Sequence, residues 1–146
     1  MFHRNAVRDE TPGPHAGIKA FCPACWSLID FDSVRCRACG ADIGSLSARG
    51  YEEKLVAALA HPFTHVRERA ALLLGAIGGP GAFEHLMRRA SAAGDPYLAA
   101  AALRGLEALR VRHPDLPPVD WKDFAGPESP LLVRFATEEI ASREPR

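Results

Sequence analysis

The chain has 146 residues, of which 47% are apolar and 25% are charged, a balance typical of soluble globular proteins. Its 18 basic and 18 acidic side chains give a formal net charge of zero, which argues against a protein held on nucleic acid or a membrane surface by overall charge. No apolar run approaches the roughly 20 residues of a membrane helix, and the first residues lack the apolar stretch of a signal peptide. We therefore expect a cytoplasmic protein whose thiols stay reduced.

The first segment, residues 1–17, is polar and shows no helical or strand period. It contains Thr11-Pro12-Gly13-Pro14, a run of residues that favour turns and loops. The segment is therefore predicted to be a disordered leader.

All the cysteines of the chain lie in two Cys-x-x-Cys pairs that are ten residues apart. They are Cys22, Cys25, Cys36 and Cys39. Four thiolates on two tight turns can close a tetrahedral zinc site, so the sequence predicts one structural Zn²⁺ per chain. Iron of the rubredoxin type uses the same ligands, and disulfides or a redox pair are the other chemistry open to four cysteines. Reduced thiols and the presence of the second pair argue against disulfides and a redox pair. Rubredoxin-like chains usually space the two pairs more widely, which favours zinc over iron.

The two cysteine motifs, Cys22-Pro23-Ala24-Cys25 and Cys36-Arg37-Ala38-Cys39-Gly40, resemble the two turns of a short zinc ribbon. That family usually has glycine after the first pair, whereas this chain has Trp26. The resemblance implies a metal-binding domain at residues 18–47 with little β structure. Because a segment this short cannot bury enough apolar surface to fold alone, the metal must contribute to its folding free energy.

Local patterns place short extended segments in the first domain and helices in the rest of the chain. The pattern indicates extended chain at residues 18–21 and 26–31. It indicates a hinge rich in small residues at residues 45–50. Apolar residues at helical spacing predict helices at 51–60, 65–77, 82–93, 97–111 and 130–142, with a helical turn at 119–124. Thr64 is the predicted N-cap of the second helix. Ile77 and Phe135 are predicted to face the core.

The helical segments repeat along the chain. Residues 66–74 align with residues 98–106 at an offset of 32, which predicts a stacked α-solenoid. The repeat contains His61-Pro62, the pattern Val66-Arg67-x-x-Ala70-Ala71-x-x-Leu74-Gly75-x-Ile77-Gly78, and Asp95-Pro96. These residues resemble the bacterial HEAT-like repeats first associated with phycobilin lyases.

The resemblance covers residues 51–112 well and residues 113–146 poorly, because Pro117, Pro118 and Gly126 interrupt the first helix of the third unit. We therefore expect a mainly α fold, in which residues 48–146 form a short α-solenoid of HEAT-like helix pairs with a degenerate last unit. The zinc ribbon precedes this solenoid.

Four further residues, two histidines and two arginines, are candidates for a site or for a contact between repeats. His61 and His65 are four apart, but Pro62 lies between them, so the two are expected to be helix-boundary residues and not a ligand pair. The resemblance implies that Arg67, and its counterpart Arg134, bond to the neighbouring repeat. No order of residues typical of a nucleophilic triad and no glycine-rich phosphate loop stands out.

These features together predict a non-enzymatic scaffold that binds another protein and carries a structural zinc site. One alternative is a ribbon that contacts nucleic acid through Arg35 and Arg37 beside Trp26, although the zero net charge argues against it. The other is a lyase-like or chaperone-like helper for tetrapyrrole attachment, which only the resemblance of the repeats implies.

Overall fold

A computed structural model describes residues 16–92 and 94–144 of the chain. It divides into two compact units, with the boundary between Ser47 and Ala48. Most of the predicted leader, residues 1–15, lies outside the described residues. The fold is mainly helical, as predicted, and the one sheet among the described residues has two strands.

The described part of the small unit, from residue 16, contains two short strands and one short helix. Strand β1 (Lys19–Phe21) pairs antiparallel with β2 (Leu28–Asp30), so that Ala20 lies opposite Ile29. Helix α1 (Ile43–Ser47) falls mostly where the sequence predicted a hinge. The Ser45 amide donates to Asp42 Oδ1 at 2.9 Å, and this side-chain cap explains why a helix forms there.

The core of the small unit is very small. Its buried cluster consists of Cys22, Ile29 and Cys36, with Ala20 and Ile43 packed against it. Two of the three central residues are thus cysteines. Apolar burial on this scale cannot offset the conformational entropy of ordering the segment, so a cross-linking metal would supply stability that packing does not.

The described residues of the larger unit form five α-helices and one 3₁₀ turn. They are α2 (Tyr51–Ala58), α3 (Thr64–Ile77), α4 (Ala82–Ser91), α5 (Pro96–Arg112), the 3₁₀ turn (Trp121–Phe124) and α6 (Leu131–Arg143). Helices α3, α5 and α6 lie side by side in one row. In the second row α2 packs on α3, α4 packs on α5, and the 3₁₀ turn packs on α6. This two-row arrangement of helix pairs is the predicted solenoid.

Helix α5 is the centre of the larger unit, since it packs against α3, α4 and α6. The Leu98 amide donates to Asp95 Oδ1 at 3.1 Å, and Pro96 begins the helix, where its missing N–H group costs nothing. Most of the helix is alanine and leucine, and nine of its residues are buried. Small side chains on several faces allow α5 to have a neighbour on each side.

Helices α3 and α5 approach closely where both carry glycine. A Cβ atom built on Gly75 would lie 2.5 Å from the Gly105 Cα, and one built on Gly105 would lie 2.5 Å from the Ala71 carbonyl oxygen. Neither distance is possible between real atoms. The two glycines therefore set the separation of the first two repeats.

Three local predictions are wrong. Thr64 is the first residue of α3 and not its N-cap; Phe63 holds the cap position, without a side-chain hydrogen bond. Ile77, the last residue of α3, is 55% exposed, because the helix ends there. Phe135 is 59% exposed, because it projects from α6 away from the buried stripe that packs on α5.

None of the helices within the described residues is both long enough and apolar enough to cross a membrane.

Candidate metal centre

The four predicted ligands come together in one cluster. Cys22 Sγ lies 3.8 Å from Cys39 Sγ, and Cys25 Sγ lies 3.7 Å from Cys36 Sγ. All four sulfurs lie within 4.8 Å of one another. A tetrahedron with Zn–S bonds of about 2.3 Å has S–S edges of about 3.8 Å, so the cluster has the dimensions of a four-thiolate site.

The same distances rule out disulfide bonds in this arrangement. All four cysteines are free, and the two sulfur–sulfur distances of 3.8 and 3.7 Å are nearly twice the roughly 2.05 Å of an S–S bond. A cluster of four sulfurs fills a tetrahedral shell and leaves no position for water or substrate. Such closed sites are structural, whereas catalytic zinc sites keep one position open.

The two cysteine turns have the same backbone hydrogen bonds. In the first, the Trp26 amide donates to the Cys22 carbonyl at 2.9 Å; in the second, the Gly40 amide donates to the Cys36 carbonyl at 2.8 Å. The Cys22 amide donates to the Ser27 carbonyl, and the Cys36 amide to the Ala41 carbonyl, both at 2.9 Å. The departure from the family pattern at position 26 thus leaves the turn intact.

Trp26 achieves this turn with strained backbone. Its φ is 61°, in the left-handed region, close to the φ of 75° at Gly40. Glycine adopts this region freely, but a bulky side chain there costs roughly 1–2 kcal/mol. The first turn therefore has the same geometry as the second, at an energetic cost that the second turn avoids.

The sulfurs differ in their surroundings. Cys22 and Cys36 are buried, whereas Cys25 and Cys39 are exposed. Cys25 Sγ lies 3.3 Å from Ser27 Oγ, and hydrogen bonds from the Ser27 hydroxyl and then its amide lower the pKa of Cys25 to about 6. Sequence reasoning missed Ser27, although a hydroxyl two residues after a cysteine turn is a recognisable signal.

The pKa of Cys39 moves in the opposite direction. A hydrogen bond from the Ala41 amide lowers it, but desolvation and the hydrogen bonds with the three other sulfurs raise it, to about 12 overall. One thiolate in the cluster therefore makes the next harder to form. A bound dication would lower the pKa of every sulfur in the cluster, since each must lose its proton to bind the metal.

Arg67 bonds to the neighbouring repeat, as the sequence comparison implied. Its Nε and Nη2 atoms donate to Asp95 Oδ2 at 3.0 and 2.8 Å, and Nη1 donates to the His61 carbonyl at 2.6 Å. Asp95 is also the N-cap of α5, so the ion pair joins α3 to the start of α5, and the hydrogen bond to His61 adds the loop before α3. The Arg134 side chain forms no such ion pair with any described residue.

His61 and His65 are not brought together as ligands. Helix α2 ends at Ala58 and α3 begins at Thr64, so the two histidines do not share a helix. The Phe63 ring lies between them in sequence, with ring centroids 5.4 Å from His61 and 5.8 Å from His65. The Phe63 amide donates to His61 Nδ1 at 3.1 Å, which uses one of the possible ligand atoms.

Arg112, near the end of α5, has a structural role that the sequence did not indicate. Its guanidinium donates twice to the Gly75 carbonyl, at 3.1 and 2.9 Å, and once to the Gly78 carbonyl at 2.6 Å. These carbonyls are among the unsatisfied acceptors at the C-terminus of α3. The positive side chain satisfies them and offsets the negative end of the helix dipole.

Comparison with known protein families identifies the helical part. The profile of the family described as HEAT repeats matches residues 27–115. The match begins inside the small unit, before the second cysteine pair, and ends before Pro117 and Pro118. Searches of curated proteins and of solved structures found no significant match. Since the matched residues make up more than half of the 146, the chain belongs to the family of HEAT repeat proteins.

Proposed function

We propose that this chain is a non-enzymatic protein-interaction scaffold whose small unit is a zinc ribbon, residues 18–47, held by one structural Zn²⁺. The HEAT-repeat unit, taken as residues 48–146 with a degenerate last repeat, supplies the binding surface. The partner is another protein. We also propose a cytoplasmic location, because a thiolate zinc site persists where cysteines are kept reduced.

The observation that carries the proposal is the side-by-side row of α3, α5 and α6. Tyr97, Arg104 and Val111 on α5 are seven residues apart, so they return to the same side of the helix. All three are exposed, Tyr97 by 56% and Val111 by 75%. This side of the central helix carries an aromatic ring, a branched apolar side chain and a guanidinium that pairs with Glu139 of α6. Such a composition is found at protein interfaces.

Zinc is the proposed metal because the sulfur cluster is closed and tetrahedral in its dimensions. Four thiolates in this geometry suit zinc or iron. The small core of Cys22, Ile29 and Cys36 requires a permanent cross-link more than it requires redox chemistry. Metal analysis of the purified chain is expected to give close to one zinc per chain.

Contact between the small unit and nucleic acid has less support. Of the two arginines that would carry it, Arg35 donates from Nη1 to the Gly40 carbonyl at 3.4 Å, and Lys19 nearby is paired with Asp30. A salt-dependent gel shift that is lost when Arg35 and Arg37 are replaced would favour this alternative. The tetrapyrrole-lyase alternative depends on the resemblance of the repeats, and none of the described contacts adds to it.

The scaffold proposal is tested by cross-linking the purified, zinc-loaded chain in an extract of its host, followed by mass spectrometry. We expect reproducible cross-links from residues of α3, α5 or α6 to one partner protein, reduced when Tyr97 and Val111 are both changed to Ser. Glu53→Ser, an exposed change on α2, is the matched control. Absence of any cross-linked partner, together with measurable turnover by the chain, would contradict the proposal.

A further inference from the structure

A groove of about 650 Å³ lies between α4 and the segment that leads into α6. Apolar side chains line most of it, and we call it the α4–α6 groove. Its apolar lining includes Met87, Ala90, Ala99, Phe124 and Val133. Ala90, Ala99 and Val133 are themselves part of the buried core, so the floor of the groove is fixed by the packing of α4, α5 and α6.

The groove lies where the third repeat is incomplete. In the first two repeats, α2 packs on α3 and α4 packs on α5. A repeat of about 33 residues would place the next helix of the second row near residues 115–124. Pro117 and Pro118 lack N–H groups and clash with a preceding turn, so only the four-residue 3₁₀ turn forms there. The apolar surface beside that turn is therefore left open.

The charges along the groove have one sign. Asp123 and Glu128 are exposed, and they are the only charged side chains among the described residues that line it. Neither forms an ion pair with another described residue. An occupant with basic residues beside its apolar face would complement this rim, whereas an acidic occupant would be repelled.

We propose that the α4–α6 groove binds a short amphipathic helix of a partner protein, with small or branched apolar residues on one face and lysine or arginine along its edge. The helix would lie in the second row beside the 3₁₀ turn, on the surface that this short turn leaves open, and would cover Met87 and Phe124. This proposal rests on the scaffold function proposed above and names one of its binding surfaces. A helix laid in an apolar groove is a common mode of peptide recognition.

The test uses a fluorescein-labelled 14-residue peptide of Ala, Leu and Lys, with Leu spaced three and four residues apart. A second peptide has Glu in place of every Lys. Binding to the full, zinc-loaded chain is measured by fluorescence anisotropy at low and at high salt. We expect the Lys peptide to bind about tenfold more tightly than the Glu peptide at low salt, and this difference to shrink at high salt.

Two variants locate the binding. Asp123→Asn combined with Glu128→Gln should weaken binding of the Lys peptide about fivefold and reduce the salt dependence of that binding. Two exposed ion pairs between the groove and the peptide would be lost. Ser91→Trp places a large ring at the edge of the groove and should weaken binding more than this. Ser142→Trp, an exposed change on α6 outside the groove, is the matched control and should bind as the unchanged chain does.

Three results would overturn the groove proposal. They are equal binding of the two peptides, unchanged binding by the Asp123/Glu128 variant, and amide chemical-shift changes on addition of the Lys peptide that fall only on residues away from the groove lining. A partner cross-linked equally well by the Ser91→Trp variant would reject the groove while leaving the scaffold function standing. If the unchanged chain showed neither partner cross-links nor peptide binding, both the groove proposal and the scaffold proposal would be rejected.

Discussion

The contact between α3 and α5 yields the most direct prediction from this structure. Changing Gly75 to Ala would place a Cβ atom 2.5 Å from the Gly105 Cα and still nearer to its carbonyl oxygen. Both are backbone atoms of a buried helix, which cannot rotate away as a side chain can. The two helices would have to separate by about 1 Å, and the apolar contacts around them would loosen.

The expected magnitude follows from two opposing effects. Overpacking a well-packed core costs about 1–3 kcal/mol, and backbone contacts on both sides place Gly75→Ala at the upper end. Alanine is favoured over glycine inside a helix by about 1 kcal/mol. The net expectation is therefore a loss of about 2 kcal/mol, or roughly 10 °C in Tm for a unit of this size.

Circular dichroism at 222 nm, followed through thermal unfolding, measures this change in the helical unit. Gly81→Ala is the matched control, because Gly81 has a φ of −62° and a Cβ there would meet no atom within 4 Å. That change should leave Tm unchanged or raise it slightly. If Gly75→Ala proved as stable as Gly81→Ala, the close approach of α3 and α5 would be wrong.

Three further predictions concern the cysteine turns and the ion pair between repeats. Cys36→Ser should abolish stoichiometric zinc in metal analysis and expose the small unit to proteolysis, while the 222 nm signal of the helices is largely kept; a still-protected, metal-free small unit would contradict the structural role. Trp26→Gly should relieve left-handed strain and stabilise the small unit by up to about 1 kcal/mol, whereas Gly40→Ala should destabilise it by a similar amount, as judged by resistance to a zinc chelator. If the Trp26→Gly chain proved less resistant to the chelator than the Gly40→Ala chain, contacts of the Trp26 indole would stabilise the unit by more than the strain costs. Partial burial raises the pKa of Asp95, but the Leu98 amide and the Arg67 guanidinium outweigh burial and hold it below the ordinary 3.8. The ion pair therefore stabilises the fold above about pH 4 and is lost as pH falls through the lowered pKa, so Asp95→Asn should cost about 1.5 kcal/mol at pH 7 and progressively less below pH 4 in chemical denaturation. If Asp95→Asn lowered the free energy of unfolding by the same amount at every pH, the charge of Asp95 would not be the source of the stabilisation.

The cysteine cluster could be predicted from sequence because its chemistry is local. Two turns of four residues each carry the ligands, and their spacing alone restricts the chemistry to a few choices. The helices were also predicted, with observed bounds mostly within two residues of those expected. The helices are indicated by alanine and leucine at helical spacing, because apolar residues at that spacing mark the buried face of a helix.

The features that sequence reasoning missed depend on contacts between distant segments. Nothing near Arg112 indicates that its guanidinium reaches carbonyls of Gly75 and Gly78, more than thirty residues away. Trp26 has a low preference for positive φ, yet the matching hydrogen bonds of the two turns hold it there. Both residues have conformations set by their surroundings and not by their own propensities.

The wrong prediction for Phe135 has a more specific cause. Helix α6 carries the apolar pattern of a helix that has neighbours on two sides, and Val133, Ala136 and Ile140 do pack in the core. Leu131 and Phe135 lie on the other side of the helix, where a further repeat would cover them in a longer stack, and they are 63% and 59% exposed. In a solenoid, each helix carries the hydrophobic pattern that suits a repeat with a neighbouring repeat on both sides. No described residue covers that side of α6, so a pattern that predicts burial correctly for Ala70 and Leu74 in α3 predicts it wrongly for Phe135.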